Sequence, residues 1–80
     1  MKIEVKLFAT LASYLPEPSN GESATLEVPD GSTVRQIVSS LGIPDAMPAI
    51  RLVNGRDADP GQVLRDGDVL AMFPPLAGGR

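Results

Sequence analysis

The sequence predicts a single α+β domain in which one main helix lies across one face of a mixed sheet of four or five strands. Three observations lead to this prediction. The chain has 80 residues, 42% of them apolar, which is enough for one small core and too few for two. Four segments have the apolar patterns of strands, and one has the apolar stripe of a helix. A lone amphipathic helix must bury its stripe against another element, and here that element is the sheet.

The first half of the chain begins with an alternating segment. Charged and apolar side chains alternate over residues 2–7, a period of two that is typical of a half-buried strand. The alternation returns over residues 24–28, which predicts a second strand. Between them, residues 9–15 suit a short helix, and Pro16 is expected to end it because the residue before a proline avoids helical backbone angles.

The second half of the chain contains the other strands. Residues 49–53 predict a third strand, and Asn54-Gly55 after it is a strong turn signal because both residues accept positive φ. A short edge strand is expected within residues 56–60. Residues 69–73 are continuously apolar, which predicts a strand in the middle of the sheet that is buried on both faces.

The main helix is predicted over about residues 33–42. Thr33 is the predicted N-cap, and Gln36 three residues later completes a capping box. Gly42 follows where a left-handed C-terminal cap is needed. The apolar stripe has the spacing i, i+3, i+4 and i+7 and consists of Val34, Ile37, Val38 and Leu41. Pairing of the two most apolar strands, the first and the last, at the centre of the sheet gives a roll of the β-grasp type.

Composition excludes several classes of function. The chain has no Cys and no His, which removes disulfides, thiolate nucleophiles, Cys/His zinc sites and histidine bases. A net charge of −3 argues against a nucleic-acid footprint or a basic membrane patch. No apolar run approaches the ~20 residues that span a bilayer, and the charged N-terminus does not resemble a signal peptide. We therefore expect a cytoplasmic protein with no side-chain catalytic site of its own.

Four aspartates in the second half of the chain raise the question of a calcium site. They cluster around two predicted turns and are Asp57, Asp59, Asp66 and Asp68. Their spacing lacks the pattern of an EF-hand loop and its terminal Glu. The sequence therefore favours solvated turn residues over a metal site.

Three stretches of the sequence resemble the MoaD/ThiS family of sulfur carriers. They are KLFATLASYLP at 6–16, VNGR at 53–56 and LRDGDVLAMFPPLAGG at 64–79. The combination of DGD, FPP and a diglycine near the end is specific, and the resemblance covers essentially the whole chain. It implies a ubiquitin-like β-grasp fold. It also implies a role in which the C-terminal glycine is adenylated by an ATP-dependent E1-like partner and converted to a thiocarboxylate by a sulfur donor.

The resemblance assigns the functional residues to the last strand and the tail. Gly79 provides the carboxylate that is activated, ATP is used by the activating partner, and the chain itself binds no cofactor. The other residues expected to form the tail or contact partners are Gly78, Pro74, Pro75, Phe73 and Phe8. Two glycines without side chains suit a tail that enters a narrow site, and two prolines stiffen its exit from the strand. Phe8 and Phe73 fit either the core or an exposed apolar patch.

The C-terminus departs from the family pattern at one position. Arg80 follows the diglycine, so the terminal carboxylate belongs to Arg80 until that residue is removed. Three interpretations are open, namely a precursor that is trimmed, a residue added to the natural sequence, or a carrier that has lost activation. Residues 74–80 are predicted to form a flexible tail, and the plain alternative for residues 77–80 is a frayed terminus with no role.

The resemblance favours one pathway without excluding others. The tail is more similar to the small subunit of molybdopterin synthase than to the thiazole carrier, which implies the large subunit of that synthase, or an equivalent acceptor enzyme, as a partner. A carrier for thiamine thiazole, for a tungsten cofactor or for another sulfur-containing metabolite remains an alternative. So do a ubiquitin-like modifier joined to lysines and a β-grasp binding module with no sulfur role.

Overall fold

The computed structural model describes residues 1–16, 21–44 and 46–75. The described chain forms one five-stranded sheet, one α-helix and one 3-10 helix. In chain order the elements are β1 (Lys2–Leu7), the 3-10 helix (Ala9–Tyr14), β2 (Ser23–Glu27), α1 (Val34–Ser40), β3 (Ile50–Val53), β4 (Arg56–Asp57) and β5 (Val69–Phe73). The predicted α+β class, with a mixed sheet and one main helix, is confirmed.

The sheet has the strand order β2-β1-β5-β3-β4. The first and last strands run parallel at its centre, with Val5 beside Leu70 and Leu7 beside Met72, and every other pair is antiparallel. This confirms the predicted central pairing. Because β5 also pairs with β3, the last strand is bonded on both edges and its C-terminal end is held firmly up to Phe73.

The core lies between the sheet and α1. Neighbouring residues in a ladder point to the same face of a sheet, so the paired side chains of β1 and β5 form one apolar layer. Ile3, Val5 and Leu7 are at most 1% exposed. The helix adds its buried stripe to this layer, and the fully or nearly buried residues of α1 are Val34, Ile37 and Val38.

The ends of α1 agree with the sequence signals. The Gln36 backbone N–H donates to Thr33 Oγ1 at 3.3 Å, and the Thr33 N–H donates to Gln36 Oε1 at 2.9 Å, which completes the capping box. Gly42 has a φ of +84°, the left-handed backbone expected after the helix. The regular helix, Val34–Ser40, lies within the predicted 33–42 because those limits included the caps.

The hairpin turn after β3 and the short helix after β1 lie where the sequence predicts them. Asn54 and Gly55 have φ values of +53° and +84°, as the predicted tight hairpin requires, and β4 after them is only two residues long. The predicted short helix is a 3-10 helix at Ala9–Tyr14, and Leu15 leaves it with an extended backbone before Pro16. Neither described helix is long and apolar enough to cross a membrane.

The prediction that β5 is buried on both faces is wrong. Leu70 and Met72 are fully buried, but Val69, Ala71 and Phe73 on the opposite face are only half-buried. The reason is that α1 covers one side of the sheet. In the described residues no second helix covers the other side. A continuous apolar run shows that both faces are apolar, but it does not show that both are covered.

Candidate functional site

The face of the sheet that points away from α1 carries an apolar strip, which we call the open face. Ladder partners share a face, so Leu52 lies beside Ala71 and Ile50 beside Phe73 on this side. The residues of the open face are Phe8, Ile50, Leu52, Val69, Ala71 and Phe73. All six are half-buried. A continuous apolar strip on the uncovered side of a sheet is a candidate contact surface for another protein.

Phe8 and Phe73 form the end of the open face. Their rings meet edge to face, with centroids 6.0 Å apart and an interplanar angle of 71°. The Phe8 backbone N–H donates to the Met72 carbonyl at 3.1 Å, which continues the pairing of β1 with β5 by one residue. The two rings therefore lie side by side where β5 ends. Neither belongs to the core, so the structure favours the apolar patch over a core role.

The backbone beside this aromatic pair is strained at one residue. Ala9 directly follows Phe8 and has a φ of +56°, a left-handed conformation that costs a residue with a Cβ atom roughly 1–2 kcal/mol. Its side chain is exposed and the 3-10 helix begins at this residue. The sharp change of direction after Phe8 allows Leu11 to reach the core while Phe8 stays on the open face.

Charged side chains border the open face. Glu4 and Lys6 lie on β1 beside Val69 and Ala71, and Asp57 on β4 lies beside Leu52 at the far side. A shallow pocket of about 260 Å³ adjoins Phe8 and is lined by Glu4, Lys6, Phe8, Glu22 and Ser23. An apolar centre with a charged border has the layout of a protein interface, in which the centre excludes water and the rim selects orientation.

The chain leaves the sheet at this same end. Phe73 is the last residue of β5, Pro74 after it is half-buried and Pro75 is exposed. The remaining predicted tail residues, including Gly78, Gly79 and Arg80, lie outside the described residues. The structure thus places Phe8, Phe73 and the two prolines at the same end of the sheet, and their role in binding a partner stays a prediction. It says nothing of the activated glycine.

Sequence reasoning missed four residues of the open face, namely Ile50, Leu52, Val69 and Ala71. Val69 and Ala71 belong to the strand that the sequence predicts to be buried on both faces, and Ile50 and Leu52 belong to the third strand, for which it predicts no face. A signal was present, because one amphipathic helix covers one side of a five-stranded sheet and leaves the other side open. The strain at Ala9 had no sequence signal, since glycine or asparagine is the residue expected at positive φ.

Two of the four aspartates, Asp66 and Asp68, accept hydrogen bonds at the turn before β5. Asp66 Oδ1 accepts from the Lys2 N–H at 2.7 Å. The two carboxylate oxygens of Asp68 accept from Asn54 Nδ2 at 2.9 Å and from the Arg65 N–H at 2.8 Å. Among the described residues there is no group of three or more His, Cys, Asp or Glu that could hold a metal ion. The structure therefore favours the turn role that the sequence indicated.

Comparison with known proteins connects this arrangement to a family. The family model described as Mut7-C ubiquitin matches residues 1–78. No curated protein sequence matches the chain. The match covers almost the whole chain, includes the described strands and the helix, and ends at Gly78, the first residue of the diglycine.

Solved structures show the same fold. SAMP1 from Haloferax volcanii is 29% identical with a TM-score of 0.76, over 99% of this chain and all of that one. A candidate molybdopterin converting factor subunit 1 from Pyrococcus furiosus is 26% identical with a TM-score of 0.74, over 94% of this chain and 98% of that one. A complex of subunits 1 and 2 of molybdopterin-converting factor from Helicobacter pylori 26695 contains a chain 21% identical to this one, over 99% of this chain and all of that one, with a TM-score of 0.63. The chain thus has the ubiquitin-like β-grasp fold of these proteins, as the sequence resemblance implied.

Proposed function

The chain belongs to the Mut7-C ubiquitin family, and from this premise we propose that it is a ubiquitin-like sulfur carrier. It acts through the carboxylate of Gly79 once Arg80 has been removed. The observation that carries the proposal is the position of the open face. The aromatic pair Phe8 and Phe73 ends where β5 passes into Pro74 and Pro75, so a partner that holds this face receives the tail directly.

The length of the tail sets the reach of the proposed reaction. Gly79 lies six positions after Phe73 in the sequence, and an extended chain spans at most about 3.5 Å per residue. The carboxylate of Gly79 therefore lies within about 20 Å of the end of the open face. A partner that binds the open face needs its nucleotide site inside this radius. Pro74 and Pro75 limit the directions in which the tail leaves, which reduces the entropy lost when it is captured.

The proposed chemistry takes place at the tail, in the site of the partner. A carboxylate oxygen of Gly79 attacks the α-phosphate of ATP, and pyrophosphate leaves. Sulfide from a donor then attacks the carbonyl of the acyl adenylate, AMP leaves, and a thiocarboxylate remains. Because each step uses the terminal carboxyl group and the partner's nucleotide site, the absence of Cys and His from the sequence is compatible with this role.

The partners are proposed on the same basis. The activating enzyme is an E1-like adenylating enzyme, and the acceptor is the large subunit of molybdopterin synthase or an equivalent enzyme. In the Helicobacter pylori structure, subunit 1 of molybdopterin-converting factor forms a complex with subunit 2. We propose the molybdenum or tungsten cofactor pathway first and the thiazole pathway as the alternative. Because the reaction requires ATP and these enzymes, we propose a cytoplasmic location.

Intact-mass measurement tests the carrier role. The chain ending at Gly79, incubated with the adenylating enzyme, ATP and sulfide donor, is expected to gain about 16 Da as sulfur replaces oxygen. Gly79→Ala is expected to react poorly, because a methyl group beside the reacting carbonyl obstructs a narrow site. Absence of any mass gain with every cognate adenylating enzyme would contradict the carrier role.

A ubiquitin-like modifier is the second candidate. It is favoured by the similarity to the small archaeal modifier protein 1 of Haloferax volcanii, which is 27% identical over 94% of this chain and 98% of that one, with a TM-score of 0.68. A modifier uses the same activated glycine but transfers it to a lysine amine. Peptide mapping after activation distinguishes the two roles. Gly-Gly remnants on lysines of other proteins indicate a modifier, and a free thiocarboxylate consumed by an acceptor enzyme indicates a carrier.

A further inference from the structure

A groove separates β2 from α1 at the end of the sheet opposite to the tail exit. It has a volume of about 530 Å³, in the range of binding clefts. Its apolar wall consists of Leu26 and Val28, which are only half-buried, and Ile37, which is 2% exposed and forms part of the core. Apolar surface continuous with the core is therefore accessible from this groove.

The strand beside the groove has an unpaired edge. Among the described strands, β2 is the outermost in the sheet and pairs only with β1. The Leu7 N–H donates to the Glu22 carbonyl and the Val28 N–H to the Met1 carbonyl, which fixes the alternation of the ladder. By that alternation Thr25 and Glu27 direct their backbone N–H and C=O groups away from β1. In the part of the chain that the structure describes, no backbone group pairs with these two residues.

The charges around the groove have one sign. The charged residues among the described ones that line it are Glu27 and Asp30, and Asp30 is 93% exposed. The N-terminal ammonium of Met1 lies 3.5 Å from Asp30 and offsets part of its charge. Glu27 lies across the ladder from Lys2 and forms no ion pair with it or with any other described residue. A positively charged ligand is therefore attracted to the groove. A second copy of this chain, with a net charge of −3, is repelled.

We propose that this edge and groove bind an extended segment of a partner protein that alternates apolar residues and carries Lys or Arg beside them. The segment adds as a sixth strand next to β2. Its backbone pairs with Thr25 and Glu27, the side chain opposite Leu26 enters the groove, and a basic side chain lies opposite Glu27. The site is separate from the open face and does not depend on activation of the tail.

The direct test uses the whole chain and two synthetic peptides. Both alternate valine and threonine over six residues. One has a lysine at each end and the other has a glutamate at each end. Titration followed by backbone amide NMR is expected to show saturable binding of the lysine peptide at low salt, about tenfold or more tighter than the glutamate peptide. The shifts are expected in residues 24–28 and in α1.

Matched variants localise the site. Thr25→Pro removes the outward N–H without removing a bond to β1, since proline is tolerated on an edge strand, and is expected to weaken binding about tenfold or more. Thr25→Val keeps the N–H and is expected to bind as the parent does. Glu27→Lys is expected to lose the preference for the lysine peptide, whereas Asp57→Lys, the same charge change at the opposite edge of the sheet, is expected to keep it.

Three results would overturn the proposal. They are absence of saturable binding, peptide-induced shifts centred on Phe8 and Phe73, and self-association through β2 in sedimentation equilibrium without peptide. If thermal melts show that Thr25→Pro is unfolded, the comparison of Glu27→Lys with Asp57→Lys takes its place as the test. Equal affinity of these two variants for the lysine peptide would then contradict the proposal. Failure here leaves the mass test of Gly79 unaffected, so the two proposals are tested independently.

Discussion

The two faces of the central strand β5 carry similar side chains and have different surroundings. Leu70 and Met72 point to α1 and are completely buried, whereas Val69, Ala71 and Phe73 point to the open face and are half-buried. The same five residues thus belong to the core on one side and to a surface on the other. A strand face can be apolar because it packs in the core and stabilises the fold. It can also be apolar because it contacts another protein.

The difference indicates a division of roles. The face toward α1 is complete, because strand and helix residues cover one another with little remaining exposure. The open face has no described cover, and a small domain gains little by leaving six apolar side chains in partial contact with water. We infer that this face is kept for a partner, and its position beside the tail exit fits that role.

The largest expected effect on stability comes from the covered face. Ile37→Ala is expected to lower the free energy of unfolding by about 2–5 kcal/mol, because the removed methyl groups leave a cavity between α1 and the sheet. Ile50→Ala is the matched control on the open face and is expected to cost less than about 1.5 kcal/mol, since its side chain is only half-buried. Urea denaturation measures both values. Equal losses of unfolding free energy in the two variants would show that the open face contributes as much to stability as the face covered by α1.

The next effect concerns the tail that leaves beside the open face. Full-length chain is expected to be adenylated on the order of a hundredfold more slowly than chain ending at Gly79, because Arg80 displaces the glycine carbonyl by about 3.5 Å and adds a long side chain. Pyrophosphate release with the adenylating enzyme gives the rates. Intact mass from native cells should show a chain that ends at Gly79. Equal rates would make the arginine the true terminus of the carrier.

A smaller effect is expected where the open face meets the 3-10 helix. Ala9→Gly is expected to raise stability by about 0.5–1 kcal/mol, because relief of the strain at a φ of +56° exceeds the extra entropy of glycine in the unfolded chain. Ala12→Gly, in the same helix without positive φ, is the control and is expected to lower stability by about 0.5–1 kcal/mol. Thermal melts of both variants check the sign. A loss with Ala9→Gly would show that Ala9 is not strained.

The smallest effect is expected from shortening the tail. Deletion of residues 78–80 is expected to leave the midpoint of thermal unfolding nearly unchanged, since the sequence predicts a flexible terminus and such a terminus contributes little packing. Differential scanning calorimetry of the deleted and full-length chains measures this. A drop comparable with that of Ile37→Ala would show that the tail is docked on the domain.

Much of the fold could be predicted because its signals are local. The period of two in residues 2–7, the capping box of Thr33 and Gln36, and the turn at Asn54-Gly55 each depend on neighbouring residues, and each was confirmed. What could not be predicted depends on contacts between distant elements. The exposure of Val69 and Phe73 depends on what covers the sheet, and a continuous apolar run is the same whether it is covered or open.

Only part of the candidate site could be predicted, because its arrangement depends on contacts between distant strands. The sequence leaves Phe8 and Phe73 open between the core and an exposed apolar patch, and the structure brings the two rings together outside the core across 65 positions of sequence. Ile50 and Leu52 were missed because their place on the open face follows from the register with β5, which sequence patterns do not give. The activation of Gly79 stays a prediction.

The most direct test of the division between the two faces is the rate of thiocarboxylate formation in a double variant. Phe8→Ala with Phe73→Ala, in chain ending at Gly79, removes the aromatic end of the open face and leaves the tail intact. Intact mass is measured at timed intervals with adenylating enzyme, ATP and sulfide donor. The double variant is expected to gain 16 Da roughly tenfold more slowly than the parent. Circular dichroism is expected to show that both proteins are folded. An equal rate in the folded double variant would contradict the account, because the partner would then hold the chain by another surface.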